Sequence, residues 1–317
     1  MTTDRRPLVL LDSASLYYRA FYGVPESVRA PDGTPVNAVR GLLDMTARLV
    51  TARRPARIVA CWDDDWRPAF RVAALPSYKA HRVGPEGGED TPPALAAQVP
   101  VIVEVLAALG IARLGAPGYE ADDVIGTLTA RERAVPDGAR IPVEIVTGDR
   151  DLFQLVDDSG PVRVLYPQRG GAPPAVIDQA YLAETYAVPD GDAYVDMAAL
   201  RGDPSDGLPG VAGIGAKTAA ALVARFGSLA GVLAALESGE AGLTATQRTR
   251  LTEAMEYLAV APGVVRVVRD IDLPRAPDSV PGRSGAGSGD PDALAALSAR
   301  WGLESSIARL QTAFDAI

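Results

Sequence analysis

The sequence has only one cysteine and one histidine among its 317 residues. A single cysteine excludes a disulfide framework and any cysteine-based zinc finger. A single histidine excludes a metal site that needs two of them. Any chemistry that the chain performs must therefore rest on carboxylates, hydroxyls, lysine or arginine.

Long hydrophobic runs are also absent. The apolar run at 8–11 stops at Asp12, which makes it too short for the core of a signal peptide. The next most apolar stretch, 99–112, contains Glu104 and is too short for a membrane-spanning helix. We therefore expect a cytoplasmic protein with no membrane partner. A monomer is the default expectation.

Basic residues are outnumbered, with 31 Lys and Arg against 40 Asp and Glu and a formal charge of −9. Proteins that bind nucleic acid are usually basic, so this balance argues against such a partner unless the acids are concentrated in one place. Hydrophobic residues make up 48% of the chain. That share is enough for a substantial core and too high for a disordered chain.

Short aliphatic segments alternate with longer helical patterns along the first half of the chain. The segments predicted to be buried strands are 8–11, 58–61, 143–146 and 162–165, with a further short strand near 111–114. Helical patterns lie between them at 38–51, 95–109 and 121–133. This alternation predicts the α/β class, a mostly parallel sheet with helices on both faces. Ligands of such sheets bind beyond the carboxyl ends of the strands.

Composition divides the chain into four predicted regions. Residues 1–177 form the α/β domain, and residues 178–274 form a helical, Ala-rich region. Residues 275–291 are rich in Pro, Gly, Ser and Arg, which indicates a flexible linker. Residues 292–317 return as one or two amphipathic helices, which we expect to pack on the core.

Acidic residues follow four of the predicted strands. The positions are Asp12, Asp63, Asp149 with Asp151, and the segment 120–123 that opens the helix after the short strand. Any one of these residues alone is better explained as a helix N-cap. Four such strand ends indicate more than capping, because clustered carboxylates repel one another and need protons or cations to offset their charge.

The ligand types available at this edge restrict the choice of cation. With no histidine pair or thiolate cluster, all-oxygen ligation favours a hard ion, Mg²⁺ or Mn²⁺. Such ions, held by several carboxylates at an open sheet edge, are the usual apparatus of phosphodiester hydrolysis.

Five blocks of sequence, in the same order as in the family, resemble the bacterial 5′-3′ exonuclease and flap endonuclease family. This family includes the 5′-nuclease domain of DNA polymerase I, and here the resemblance is to a stand-alone enzyme. The blocks are Asp12-Ser13 with YYRA at 17–20; Trp62-Asp63 with Phe70-Arg71 and PSYKAHR at 76–82; EADDVIG at 120–126; VTGDRD at 146–151; and GDPSD at 202–206 with GVAGIGAKTA at 210–219. The match spans roughly 8–260, which makes it far more specific than any single motif.

The resemblance implies a site for two ions, Mg²⁺ or Mn²⁺. Asp12, Asp63, Glu120 and Asp122 would serve the first ion. Asp149, Asp151 and Asp206 would serve the second, with Asp123 and Asp203 close by or acting through water. Removing these nine acids from the 40 leaves 31, which equals the number of basic residues. The low overall charge therefore does not argue against a DNA substrate.

The resemblance also implies which residues hold DNA. The segment near 76–95 would be an arch, in which Lys79 and Arg82 hold the scissile phosphate and act in catalysis while Tyr78 stacks on a base. Arg19 and Arg71 would be further phosphate contacts. Residues 83–93 are rich in Gly and Pro and contain three acids, which departs from a strongly basic arch. Without the resemblance, residues 78–82 would be read as an exposed helix start.

Residues 210–218 could be mistaken for a nucleotide-binding P-loop. Ala216 separates Gly215 from Lys217, and no strand leads into the segment, so it does not fit that motif. A helix-hairpin-helix fits better, with a turn at Gly213-Ile214-Gly215 and Lys217 starting the next helix, where backbone N–H groups bind duplex phosphates. The family often holds K⁺ there. Gly207, where relatives commonly have Asn, is expected to loosen the turn that positions Asp206.

The predicted function is a structure-selective 5′ nuclease that trims DNA ends, flaps or junctions in replication or repair. A haloacid-dehalogenase-type phosphatase fits poorly, because it needs a second Asp two residues after Asp12 and Ala14 stands there. A PIN-type ribonuclease would share the acidic edge but is usually shorter and lacks the helix-hairpin-helix. A DNA-binding relative without cleavage activity remains the alternative.

Overall fold

The computed structural model describes residues 5–274 and 289–317. Most of the predicted linker, 275–291, therefore lies outside the described residues, as do residues 1–4. Within the described part of the chain, no single helix is long and apolar enough to cross a membrane, although the bent pair Ala216–Phe226 and Leu229–Ser238 passes that test jointly by length and composition.

One six-stranded sheet organises the first half of the molecule. Its strands are β1 Leu8–Asp12, β2 Arg57–Cys61, β3 Ala112–Leu114, β4 Val143–Val146, β5 Val162–Tyr166 and β6 Ala175–Ile177. They are arranged in the order β3-β2-β1-β4-β5-β6. The first five are parallel, and β6 pairs antiparallel with β5. The predicted α/β class with a mostly parallel sheet is confirmed.

The central strands are aliphatic because both of their faces are covered. Leu8 and Leu10 of β1 point into one core, and Val9 and Leu11 point into the other. This is the two-residue alternation of a strand applied to a sheet that is buried on both sides. The strands that were predicted from sequence lie within one residue of the observed ones, whereas β6, with three residues, was not predicted.

Fourteen helices are described. They are α1 Ser13–Gly23, α2 Asn37–Arg53, α3 Ala69–Ala74, α4 Pro93–Ala96, α5 Val99–Ala108, α6 Ala121–Arg133, α7 Gln179–Tyr186, α8 Gly191–Arg201, α9 Ala216–Phe226, α10 Leu229–Ser238, α11 Ala245–Glu253, α12 Met255–Val265, α13 Pro291–Trp301 and α14 Glu304–Asp315. Short 3₁₀ turns occur at Ala80–Arg82, Asp151–Leu155, Arg169–Gly171 and Pro204–Asp206.

Two helical layers cover the sheet. One core contains residues of α6, α8, α9 and α12, and the other contains residues of α2, α5, α13 and α14. The C-terminal helices reach the second core through apolar residues that include Leu294, Ile307 and Leu310. The chain beyond 289 therefore packs on the face of the sheet opposite α6.

The single helix predicted over 95–109 is broken into α4 and α5. Pro100 stands in the first turn of α5, where its missing N–H costs nothing. Gln98, between the two helices, is buried and ties them to α2. Its Oε1 accepts from the Ala38 N–H at 2.8 Å and its Nε2 donates to Asn37 Oδ1 at 3.0 Å.

The order in which the chain adds strands to the sheet reverses at β1. Strands β2 and β3 lie on one side of β1, and β4 and β5 lie on the other. The carboxyl ends of these parallel strands meet at one edge, and a crevice opens where the order reverses. The four predicted acidic strand ends are therefore brought to the same crevice.

Candidate active site

Asp12 lies at the centre of this edge, at the end of β1. Its Oδ1 accepts from the Ser15 N–H at 3.3 Å, which caps α1. Its Oδ2 accepts from the Thr147 hydroxyl at 2.5 Å, and the same hydroxyl oxygen accepts from the Asp149 N–H at 2.8 Å. Asp12 is thus both a helix cap and a fixed link between the ends of β1 and β4.

Asp63, just after β2, likewise links a strand end to the start of a helix. Its Oδ1 accepts from the Ala121 N–H at 2.8 Å, so the strand end is held against the first turn of α6. Glu120 caps that helix and Asp122 lies within its first turn. The local hydrogen bonds of the helix start therefore bring Asp63, Glu120 and Asp122 together.

Two turns supply the remaining acids. Asp149 accepts from the Asp151 N–H at 2.9 Å in the turn after β4. Asp203 accepts from the Ser205 N–H at 2.8 Å in the turn after α8, which places Asp206 one residue further on. Backbone N–H groups thus orient Asp149 and Asp203.

A cleft of about 770 Å³ opens over the sheet edge. Six of the nine predicted metal ligands line it: Asp12, Asp63, Glu120, Asp122, Asp149 and Asp203. Lys79 and Arg82 line it as well. Asp151 and Asp206 do not line this cleft, but their charges reach Asp149, which is among its lining residues.

Burial and mutual repulsion raise the pKa values of these acids. The pKa of Asp12 rises to about 7, chiefly through burial and then through the charge of Asp63. Burial, followed by the charges of Asp12 and Asp149, holds the pKa of Asp122 well above its usual range. Burial also raises the pKa of Asp63, Asp149 and Asp151. The negative charge of these carboxylates is therefore not fully balanced by positive charge within the site.

The donor set fits a hard divalent ion, because all its ligands are carboxylate oxygens whose charges are only partly offset. Within residues 5–274 and 289–317, no three Asp, Glu, His or Cys side chains already converge into a coordination sphere. The carboxylates line one cleft without closing on a single point.

The predicted roles of Asp123 and Arg71 differ from what the structure shows. Arg71 is 2% exposed and Asp123 is 0% exposed. The Arg71 guanidinium donates to both Asp123 oxygens, and Asp123 also accepts from the Val268 N–H at 2.8 Å. Arg71 therefore cannot present its charge to DNA as predicted, and both oxygens of Asp123 are engaged by Arg71, so Asp123 does not line the cleft. The two form a buried ion pair beneath the site.

Tyr78 also needs correction, because it is 4% exposed and so cannot stack on a base. Its hydroxyl donates to Glu120 Oε2 at 2.7 Å, and Arg71 Nη1 donates to the same oxygen at 2.6 Å. Lys79 binds the other oxygen of Glu120. Glu120 therefore lines the cleft with both of its oxygens engaged, and it fixes Lys79.

The predicted phosphate-binding pair is attached to the acidic turn at 203–206. The Lys79 N–H donates to the Asp206 carbonyl oxygen at 2.9 Å. Arg82 Nη2 donates to Asp206 Oδ1 at 2.6 Å and to the Ser205 carbonyl oxygen at 2.7 Å. Burial alone would lower the pKa of Lys79, but the charge of Glu120 raises it well above the ordinary value. The Lys79 side chain therefore stays cationic at neutral pH.

Gly207 tightens this connection, contrary to the expectation that it loosens the turn. Its φ is +75°, and a Cβ built there would collide with the Ser77 carbonyl oxygen. The Ser77 hydroxyl donates to the Gly207 carbonyl oxygen at 2.8 Å. Glycine thus permits a close approach between 77–79 and 206–207, and any side chain at this position would push them apart.

The predicted arch is a short hairpin. Val83 and Glu89 form an antiparallel bridge, and the Gly84 N–H donates to the Gly88 carbonyl oxygen at 2.8 Å. The end of the hairpin is tied to α1 by a 2.7 Å hydrogen bond between Tyr18 and the Thr91 hydroxyl. Glu89 and Asp90 face the cleft. The Gly- and Pro-rich composition explains the absence of a helix here.

The remaining predicted DNA contacts lie outside the cleft. Gly213 has a φ of +76° and is followed by Gly215, which is the N-cap of α9. Lys217 is exposed in the first turn of that helix. Arg19 is partly exposed on α1, near Gly148. A tight turn thus precedes a helix start with a lysine in its first turn, as predicted.

Two family descriptions match the chain in succession. Residues 7–187 match the 5′-3′ exonuclease N-terminal resolvase-like domain, and residues 190–286 match the 5′-3′ exonuclease C-terminal SAM fold. The chain belongs to the 5′-3′ exonuclease family. The resemblance inferred from the five sequence blocks is confirmed.

Individual proteins agree with this assignment. The chain is 59% identical over 313 residues to a "5′-3′ exonuclease" of Streptomyces coelicolor, covering 97% of this chain and 100% of that protein. It is 39% identical over 274 residues to DNA polymerase I of Mycobacterium bovis, covering 86% of this chain and 28% of the polymerase. A bacteriophage T5 flap endonuclease solved with DNA and metal ions shares its fold, with a TM-score of 0.61, 17% identity and coverage of 98% and 100% of the two chains.

The cleft of this 5′-3′ exonuclease family member also contains residues that sequence reasoning missed. Glu89, Asp90, Arg150 and Tyr166 are among its lining residues. His81 is also exposed at the cleft. Arg150 stands between Asp149 and Asp151, so its place inside an acidic motif was a signal that could have identified it.

Proposed function

We propose that the chain is a metal-dependent, structure-selective 5′ nuclease that hydrolyses DNA phosphodiester bonds. The observation that carries the proposal is the set of six carboxylates lining one cleft with Lys79 and Arg82 beside them. The relative that is 59% identical bears the name of such an enzyme. Related structures solved with DNA and metal ions support a divalent metal and a DNA partner.

The residues that would hold the metal divide into two groups. Asp12, Asp63 and Asp122 lie around the ends of β1 and β2, with Glu120 beside them. Asp149 and Asp151 follow β4, with Asp203 and Asp206 opposite. When bound, divalent ions activate water and offset the charge that builds up on the phosphate. We propose that these carboxylates hold two divalent ions and that the turn at 213–215 holds K⁺.

Lys79 and Arg82 would bind the phosphate that is cleaved. The Lys79 side chain is 14% exposed and that of Arg82 is 35% exposed, so both can reach a ligand in the cleft. Their carboxylate partners hold them in position before substrate arrives, which reduces the entropy lost on binding. The acids alone would repel DNA, so these cations and the bound metal together make the cleft receptive to a phosphate.

The two parts of the chain would have different functions, cleavage and duplex binding. We propose that residues 1–177 cleave and that residues 178–274 bind the duplex through Gly213, Gly215 and Lys217. The substrate would be DNA with a 5′ end, flap or junction, met in replication or repair by a monomer of the enzyme. The cytoplasmic location remains a prediction from the sequence.

The test uses a labelled duplex with a 5′ single-stranded flap. The protein is incubated with it in Mg²⁺, in Mn²⁺ and in EDTA, alongside Asp149→Ala. We expect flap release in either metal, none in EDTA, and none with the mutant although its thermal unfolding is unchanged. Tight binding without cleavage in both metals would overturn the proposal in favour of a DNA-binding relative without activity.

A further inference from the structure

Arg150 differs from the other cations of the cleft. Of the three Lys and Arg side chains that line it in the described part of the chain, Lys79 binds Glu120 and Arg82 binds Asp206. Arg150 is exposed, and no contact with a carboxylate is found among the described residues. Its positive charge is therefore available to a ligand.

The described neighbours of Arg150 leave its positive charge uncompensated by any carboxylate. Tyr166 lines the same cleft, and the phenols of Tyr166, Tyr186 and Tyr194 raise the pKa of the Arg150 guanidinium. Tyr166 is fixed in turn, because its ring packs edge-on against buried Phe153 with the ring centroids 5.8 Å apart. A surface arginine normally loses rotamer freedom when it binds a ligand, and a fixed tyrosine beside it would reduce that loss.

The position of Arg150 in the sheet separates it from the other cations. Arg150 follows β4, whereas Lys79 and Arg82 belong to the segment that follows β2. Strands β2 and β4 flank β1, so they lie about 10 Å apart. Arg150 and the Lys79–Arg82 pair therefore reach the cleft from different chain segments, so they can contact different phosphates of one strand that crosses the carboxylates.

The opposite side of the cleft is negatively charged and therefore unsuited to binding a phosphate backbone. The hairpin at 83–89 and the residue after it bring Glu89 and Asp90 to the lining. Both carboxylates repel a phosphate backbone that approaches from that side. The charge distribution therefore favours a DNA strand that lies towards β4 and β5, where Arg150 and Tyr166 stand.

We propose that Arg150, held by Tyr166, binds a backbone phosphate of the substrate strand next to the phosphate that Lys79 and Arg82 hold. This inference rests on the proposed nuclease function and adds a substrate contact to it. Arg150 acts in positioning the strand, and Tyr166 acts through Arg150. The contact is to the backbone, so it carries no base preference.

The experiment measures DNA binding as a function of salt. Binding of a fluorescent duplex with a 5′ flap is followed by anisotropy in EDTA over a series of KCl concentrations, for the full chain and for Arg150→Gln. Loss of one phosphate contact is expected to weaken binding about three- to tenfold at low salt and to reduce the slope of log K against log[KCl] by about 0.9. A merely structural role would not change that slope.

Three further variants make the result specific. Arg163→Gln is the matched control, because Arg163 is an exposed arginine of β5 near the opposite end of that strand from Tyr166, and its slope is expected to equal that of the wild type. Arg150→Lys keeps the charge and is expected to keep the slope. Tyr166→Phe keeps the packing on Phe153 and is expected to weaken binding by a smaller factor.

Cleavage in Mg²⁺ separates this inference from the proposed function. Arg150→Gln is expected to raise KM more than it lowers kcat. An unchanged slope in folded Arg150→Gln, matching Arg163→Gln, would overturn the inference even if the wild type cleaves normally. A wild type that binds but does not cleave would overturn the nuclease proposal and leave the salt-slope result to decide the role of Arg150.

Discussion

Arg71 binds Asp123 through both terminal nitrogens, at 2.7 and 2.6 Å, in a place where neither side chain reaches solvent. Arg71 Nε also donates to the Val264 carbonyl oxygen at 3.0 Å, at the end of α12. The pair thus joins α3, α6 and the last helix of the second region. Because Glu120 accepts from Arg71 as well, this connection extends to Lys79 at the cleft.

Replacing Arg71 by Met is expected to lower the free energy of unfolding by about 3–5 kcal/mol, because it leaves Asp123 as a buried charge without its partner. Guanidinium unfolding measures the change. Arg309→Ala is the control, since Arg309 pairs with Asp44 at 2.7 Å on the surface and is expected to cost no more than about 1 kcal/mol. Equal losses in the two variants would contradict the structural role given to Arg71.

Gly207→Ala is expected to reduce nuclease activity strongly and to lower the melting temperature. The substitution adds a Cβ at φ +75° and directs it at the Ser77 carbonyl oxygen, which pushes Lys79 away from Asp206. Gly227→Ala is the matched control, with φ +81° and open space around the added atom. If both variants lose the same stability and keep full activity, close approach at Gly207 has no functional role.

The metal-free protein is expected to become more stable as the pH falls from about 8 to 5. The folded-state pKa of Asp12 is raised to about 7 from its ordinary value of 3.8, so over this window the folded chain binds more protons than the unfolded chain. Each such group contributes a slope of up to about 1.4 kcal/mol per pH unit, and this stabilisation is lost as the pH rises through the folded pKa. Urea unfolding in EDTA at several pH values measures it.

Two additions test the cause of that pH dependence. Asp12→Asn is expected to reduce the slope of the curve, because one titrating group is gone and its charge no longer raises the pKa of Asp122. Saturating Mg²⁺ is expected to reverse the trend above pH 6, because the ion binds the ionised carboxylates and stabilises the fold by mass action. A curve that neither change affects would mean that Asp12 does not titrate in this range.

Glu89→Gln is expected to tighten DNA binding in EDTA by about threefold, the order expected when one charge near a surface is removed. Burial and the charge of Asp63 raise the pKa of Glu89, whereas Lys79 and Arg82 lower it, so its charge acts on both the acids and the phosphate-binding pair. Anisotropy measures the affinity, and Glu86→Gln at the exposed tip of the same hairpin serves as the control. Weaker binding by Glu89→Gln would assign this carboxylate a supporting role instead.

The acidic edge could be predicted because its causes are local. Each strand is a run of aliphatic residues, and the acid that follows it must lie at the carboxyl end, as Asp12 and Asp63 do. The boundaries of α6 were predicted to the residue, since its first turn carries acids and its last turn carries Arg131 and Arg133. Parallel pairing then gathers the acids at one edge without further information.

The errors involve contacts between residues far apart in the chain. Arg71 and Tyr78 belong to a segment that would be exposed if it stood alone, and they are buried because the chain at 264–268 and Glu120 pack against them. The role of Gly207 depends on Ser77, 130 residues earlier. Periodicity and spacing within a short window of sequence do not indicate such contacts. A motif can therefore identify these residues but does not show whether they are buried or exposed.

The central claim is that carboxylates at the sheet edge make this chain a 5′ nuclease, and two neighbouring residues test it most directly. Asp63 lines the cleft, whereas Asp64 is exposed and lies 3.4 Å from Arg113. A duplex labelled at the 3′ end of one strand is digested in Mg²⁺ by the wild type, Asp63→Asn and Asp64→Asn. We predict shortening from the 5′ side by the wild type and Asp64→Asn, and a loss of at least a hundredfold in Asp63→Asn, the scale of removing a group that stabilises the transition state. Equal cleavage by all three proteins would contradict the account.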